Sequence, residues 1–88
     1  MRLDLFLKKI RIVKTRAKSK TLCKRELVSL NDVKAKPGKN IKLGDIIRID
    51  FGKRILVIEV TEIPPGNVLK PEASSYYNVI KDESVNII

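Results

Sequence analysis

Apolar residues at Leu3, Phe6, Leu7 and Ile10 fall at i, i+3, i+4 and i+7. That spacing predicts one buried stripe of an α-helix over about residues 3–11. Asp4 lies in its first turn, where a negative charge suits the helix dipole. Thr15 is a candidate N-cap for a second helix reaching about Arg25, with weaker apolar positions at Ala17, Thr21, Leu22 and Cys23. After Glu26 the period changes. Leu27, Val28 and Leu30 read as a short strand, Asn31-Asp32 as a turn, and Val33 to Lys36 as a returning strand that Pro37-Gly38 stops. Leu43-Gly44-Asp45 turns again. Ile47, Ile49 and Phe51 alternate with Arg48 and Asp50, as in a half-buried strand. Gly52-Lys53 fits a two-residue hairpin loop leading to an apolar partner strand over Arg54 to Thr61. Pro64-Pro65-Gly66 ends it. From Pro71 to about Glu83, Ala73, Tyr76, Tyr77 and Ile80 share one side of a predicted short helix with Pro at its start. Phe6, Phe51 and Cys23 are expected in the core.

Charge changes the picture. Nine basic residues and no acid lie between Leu5 and Arg25. Residues 1–42 hold 14 Lys/Arg against 3 Asp/Glu, and residues 43–88 hold 5 against 7. A one-signed block attracts polyanions, and phosphate backbones are the usual partners. Arg16, Lys20 and Lys24 recur every fourth residue, so they share a helix face although they repel one another. At 88 residues and 43% apolar content the chain is one small globular domain, not a disordered one. A single cysteine excludes an internal disulfide and points to a reducing compartment, the cytoplasm. Histidine is absent, which removes the commonest general base and metal ligand. Cys23 has no activating partner, and no Gly-rich loop cradles phosphates. The composition therefore points away from an enzyme, a metal site or any cofactor. No apolar run is long enough to span a bilayer. The basic, acid-poor start has the character of a transit peptide, but its removal would leave too little core.

Four short pieces occur in order: Arg2-Leu3-Asp4, Lys14-Thr15-Arg16, Val28-Ser29-Leu30-Asn31 and Ile41-Lys42-Leu43-Gly44-Asp45. This series resembles the S4 RNA-binding domain over roughly residues 1–62, with residues 63–88 as a C-terminal extension. The resemblance implies an α+β fold: two basic N-terminal helices on a small, hairpin-rich, mostly antiparallel sheet. The size is similar to that of small stand-alone bacterial members of the superfamily, including ribosome-associated heat-shock and quality-control proteins. The partners so implied are structured RNA, rRNA or tRNA, and the large ribosomal subunit, with no membrane and a monomer when free. Two residues depart from the family pattern. Glu26 stands where glycine usually follows the second helix, and Asp32 replaces the glycine of an Asn-Gly turn.

The candidate RNA-binding residues are Arg2, Asp4, Lys8, Lys9, Lys14, Thr15, Arg16, Lys20, Lys24, Ser29, Asn31, Lys34 and Lys36. The lysines suit phosphate contacts, being point charges on flexible stems. Arg16 has two roles open to it, a phosphate or a pairing with Asp4 that fixes the two helices. Asn31 either serves its turn or presents its amide, as the family's equivalent position does. With Phe6 and Phe51 assigned to core, the basic half has no stacking platform, so folded RNA read through phosphates and 2′-hydroxyls fits better than single strands. Non-specific DNA binding, a basic membrane-surface protein, and an adaptor using the C-terminal helix are the competing readings.

Overall fold

The computed structural model describes residues 1–85. Helix α1 (Leu3–Lys9) and helix α2 (Arg16–Lys24) lead into strands β1 (Val28–Leu30), β2 (Val33–Lys34), β3 (Ile46–Asp50) and β4 (Arg54–Val60). A 3₁₀ helix (Lys70–Tyr76) and strand β5 (Tyr77–Ser84) follow. Every strand pairing is antiparallel, in the order β2-β1-β3-β4-β5. The fold is α+β, as expected.

The predicted stripe of α1 is the heart of the core. Leu3, Phe6 and Leu7 are fully buried and Ile10 nearly so, against Val28, Ile47, Ile49, Leu56 and Ile58 of the sheet. The helix stops short of Arg11, which adopts φ 62°. In α2 the Thr15 hydroxyl accepts the Lys18 N–H at 3.1 Å, the capping bond that the residue type predicts. The other end closes with Glu26 in the left-handed region at φ 61°. Its N–H bonds the Cys23 carbonyl and the Leu27 N–H bonds the Leu22 carbonyl, both at 3.0 Å. That pair of bonds is a Schellman cap whose glycine position is filled by glutamate.

The Asn31-Asp32 turn joins β1 to β2 with φ 51° and 67°, left-handed at both central residues. This is the type I′ geometry that matches strand twist. Gly52 supplies φ 85° at the first central position of the β3–β4 loop, closed by the Phe51 N–H on the Arg54 carbonyl at 2.9 Å.

Three expectations need correction. The returning strand ends at Lys34 rather than Lys36. Phe51 is only partly buried, because it sits at the turn end of the β3–β4 hairpin, where the strands run out of the core, with the Arg54 guanidinium 5.9 Å from its ring centre. The C-terminal helix is a 3₁₀ helix ending at Tyr76, and residues 77–84 form β5 instead. Tyr77, Val79 and Ile80 are strand formers, and the free edge of β4 offers a full row of backbone partners. Ile80, expected on the buried side, is 55% exposed.

Candidate nucleic-acid interface

The basic residues fall into neighbourhoods set by α1. At its start, backbone bonds bind the loop after β2 to the helix: Leu3 N–H to Lys39 O at 2.8 Å and Asp4 N–H to Pro37 O at 3.1 Å. Here the Asp4 side chain is fully buried and collects four donors. Arg2 Nε reaches Oδ1 at 3.2 Å and Arg2 Nη2 reaches Oδ2 at 3.4 Å. Arg16 Nε reaches Oδ2 at 3.3 Å, and the Leu5 amide donates to Oδ1 at 2.9 Å. Burial pushes the Asp4 pKa up, but the Arg16 and Leu5 hydrogen bonds and the charges of Arg16 and Arg2 outweigh it and hold the carboxyl below its ordinary value. Asp4 therefore stays ionised and fixes two arginines whose own side chains are 48% and 41% exposed. The pairing role weighed for Arg16 is present, and half of its side chain still faces water.

Asp4 itself is corrected as a contact residue: no part of it is at the surface, and its role is to hold Arg2 and Arg16. Thr15 spends its hydroxyl on the cap of α2. From that cap Arg16, Lys20 and Lys24 run along one face of α2, with Lys24 exposed and Arg16 and Lys20 partly so. Arg2 links this face to the loop after β2, since Gly38 backs onto its guanidinium with a Cβ there falling 3.6 Å from Nη2. Lys36 and Lys39 flank that glycine, exposed, across the turn that the Lys39 N–H closes on Lys36 O at 3.1 Å.

Asn31 serves its turn. Its Oδ1 accepts the Ile46 N–H at 2.9 Å, and its Nδ2 donates to Asp45 Oδ1 at 3.0 Å. Ser29 is corrected as a surface residue, being 8% exposed mid-strand between Lys34 and Arg48. Lys34 is exposed, but its Nζ holds the Glu26 carbonyl at 2.7 Å. Lys8, Lys9 and Lys14 stand apart, around a cleft between α1 and residues 67–77. Lys9 Nζ bonds Gly66 O there at 2.7 Å.

The sequence reading missed Lys39, Arg11 and Lys70. Lys39 was signalled by the Pro-Gly turn beside Lys36. Nothing local pairs Arg11 with Val68 O, its partner at 3.2 Å, because 57 residues separate them. Cys23 is buried and its pKa is pushed to about 11, by burial first and by the Asp4 charge second, so it is a core thiol. Among the described residues, no group of three or more His, Cys, Asp or Glu is placed to hold a metal ion, and no helix is long and apolar enough to cross a membrane.

This arrangement, basic helices with a loop wrapped on the first of them, is matched by the S4 domain family model over residues 1–47. The chain belongs to the S4 domain family. It is similar to the RQC P-site tRNA stabilizing factor of Halalkalibacterium halodurans, with 38% identity across 98% of this chain and 97% of the relative. The Bacillus subtilis protein of the same name is 33% identical across 97% and 98%. Among solved structures, the trimeric Heat Shock Protein 15 of Vibrio cholerae superposes with a TM-score of 0.84 at 29% identity, over 90% of this chain and 80% of that one. The S4 fold expected from the four sequence pieces is thus present.

Proposed function

We propose that this protein binds structured RNA without catalysing a reaction, on the large ribosomal subunit and on tRNA held there, in ribosome-associated quality control. The observation that carries the reading is the set of cations that α2 and the loop after β2 bring to one side. Arg16, Lys20 and Lys24 follow one another along α2, and Arg2 bridges to Lys36 and Lys39. Asp4, the carboxylate that touches Arg2 and Arg16, is buried and spent on these two arginines. Such a surface meets phosphates at several points at once, with arginine forks pre-set and lysines adaptable.

Relatives named RQC P-site tRNA stabilizing factor, matching nearly end to end, support the choice of ribosome and tRNA. That setting carries the expectation of a cytoplasmic protein; a monomer when free is proposed with it from the size of the chain alone, since the similar Heat Shock Protein 15 is trimeric in its structure. Lys8, Lys9 and Lys14 extend the same field without belonging to the same side.

Sedimentation of the tagged protein through a sucrose gradient, with crosslinks mapped on the RNA, tests the reading. The expected result is comigration with large subunits and crosslinks to rRNA or tRNA from α2 residues. Migration only at the top of the gradient under low salt would overturn it. Equal affinity for duplex DNA and for a structured RNA at the same salt would replace it with general nucleic-acid binding.

A further inference from the structure

The cleft between α1 and residues 67–77 differs in kind from the α2 face. Its volume is about 940 Å³, at the upper end of the ~300–1,000 Å³ usual for ligand sites, so it has room for several side chains rather than a lone anion. Lys8, Lys9, Arg11, Lys14 and Lys70 line it, and no Asp or Glu does. Two of these cations hold the far wall in place, Lys9 on Gly66 O and Arg11 on Val68 O. Lys8, Lys14 and Lys70 are exposed and have no partner among the ion pairs or side-chain hydrogen bonds of the described residues.

Exposed apolar side chains stand among these cations. Ile10, Val13, Val68 and Ala73 are buried beneath the cleft, while Leu5 is partly exposed and Leu69 stands on the lip at 63% exposure. Helix α2 itself shows no exposed large hydrophobic residue, and on the neighbouring β2 loop Val33 alone of the apolar residues is exposed, beside Lys34, Lys36 and Lys39. A phosphate backbone needs the cations and gains nothing from aliphatic surface. Bases need flat aromatic platforms, and the cleft offers only a half-buried Tyr77. An occupant that uses both features brings carboxylates and aliphatic side chains together.

We infer that this cleft docks an acidic, aliphatic segment of a partner protein, laid in as a helix in a groove, with its carboxylates on Lys8, Lys14 and Lys70 and its apolar side on Leu69 and the partly exposed Leu5 and Tyr77. The site is separate from the RNA face and would let the protein hold a protein factor beside the RNA it grips.

Fluorescence anisotropy with the full chain tests this. The probes are a labelled four-turn peptide of Leu and Glu at helical spacing (about 14 residues), an all-Glu peptide of the same net charge, and a base-paired RNA hairpin. The Leu/Glu peptide is expected to bind saturably, and the all-Glu peptide at least about tenfold more weakly, or about 1.4 kcal/mol. Leu69→Ser, at an exposed position, should weaken the Leu/Glu peptide several-fold and leave the RNA hairpin unchanged. Lys14→Glu with Lys70→Glu should abolish peptide binding. The inference is overturned if the two peptides bind alike, if Leu69→Ser changes nothing, or if the RNA hairpin competes for the cleft and itself weakens in Leu69→Ser. Lys20→Glu with Lys24→Glu is expected to weaken the hairpin at least about tenfold and keep the peptide, so failure of the RNA reading and failure of this one remain distinguishable.

Discussion

Replacing Asp4 by Asn removes one negative charge from the neighbourhood of the RNA face and leaves nearly the same shape. Simple electrostatics then expects equal or tighter RNA binding, since the local field becomes more positive. The structure predicts the opposite sign. Asp4 is fully buried and orders both Arg2 and Arg16, each half in water. Without its charge the two guanidiniums regain freedom that RNA binding must remove again. Immobilising a rotamer-rich side chain costs about 0.5–1.5 kcal/mol. For two arginines only half ordered beforehand, the loss is about 0.5–1.5 kcal/mol in total, a factor of roughly 2–13 in affinity. Stability should fall by a similar ~1–2 kcal/mol, at the low end for charge-assisted hydrogen bonds because solvent screens the exposed arginines. That corresponds to a Tm lower by about 4–16 °C in a domain of this size. Filter binding at fixed salt reads the affinity, and thermal unfolding reads the stability. The folded-state pKa of Asp4 lies below its ordinary 3.8, so its contribution is present above about pH 4 and is lost as pH falls through the lower folded value. The stability gap between wild type and Asp4→Asn should therefore close as pH drops below 3.8. Tighter RNA binding by Asp4→Asn, or a gap that widens in acid, would refute the positioning role.

Glu26→Gly should raise stability by about 1 kcal/mol, because a glutamate in the left-handed region costs ~1–2 kcal/mol and glycine recovers most of it despite its greater unfolded entropy. The urea midpoint of unfolding measures this, and an unchanged or lower midpoint would count against the cap described at φ 61°. Asn31→Ala should destabilise by about 1–3 kcal/mol, since it deletes two side-chain bonds that tie the turn to β3 and its loop. If the loss comes from the turn alone, an RNA contact by Asn31 is not needed, and RNA affinity corrected for unfolded protein stays within about twofold, or ~0.4 kcal/mol.

Much of the fold is legible in the sequence because local rules and tertiary packing agree there. The α1 stripe at Leu3, Phe6, Leu7 and Ile10 is both periodic and buried, Thr15 caps the helix it precedes, and Gly52 turns the hairpin it punctuates. Residues 77–84 were misread for a physical reason. Ala73, Tyr76, Tyr77 and Ile80 have helical spacing by coincidence, while the free edge of β4 supplies the partners that make a strand. The site was legible as charge but not as geometry. Nothing in the order of residues says that Asp4 is buried, that Asn31 is spent on Asp45 and Ile46, or that Lys8, Lys9 and Lys14 face a cleft built from residues 67–77. Those facts depend on contacts between distant parts of the chain.

The salt dependence of binding to a structured rRNA or tRNA fragment tests the central claim most directly. If about five phosphates are met, log affinity falls with log salt at a slope of about −3.5 to −4.5, and Lys20→Glu with Lys24→Glu reduces that slope by about 1.4–1.8. A flat dependence, or a double variant with the wild-type slope, would contradict a phosphate grip on the α2 face.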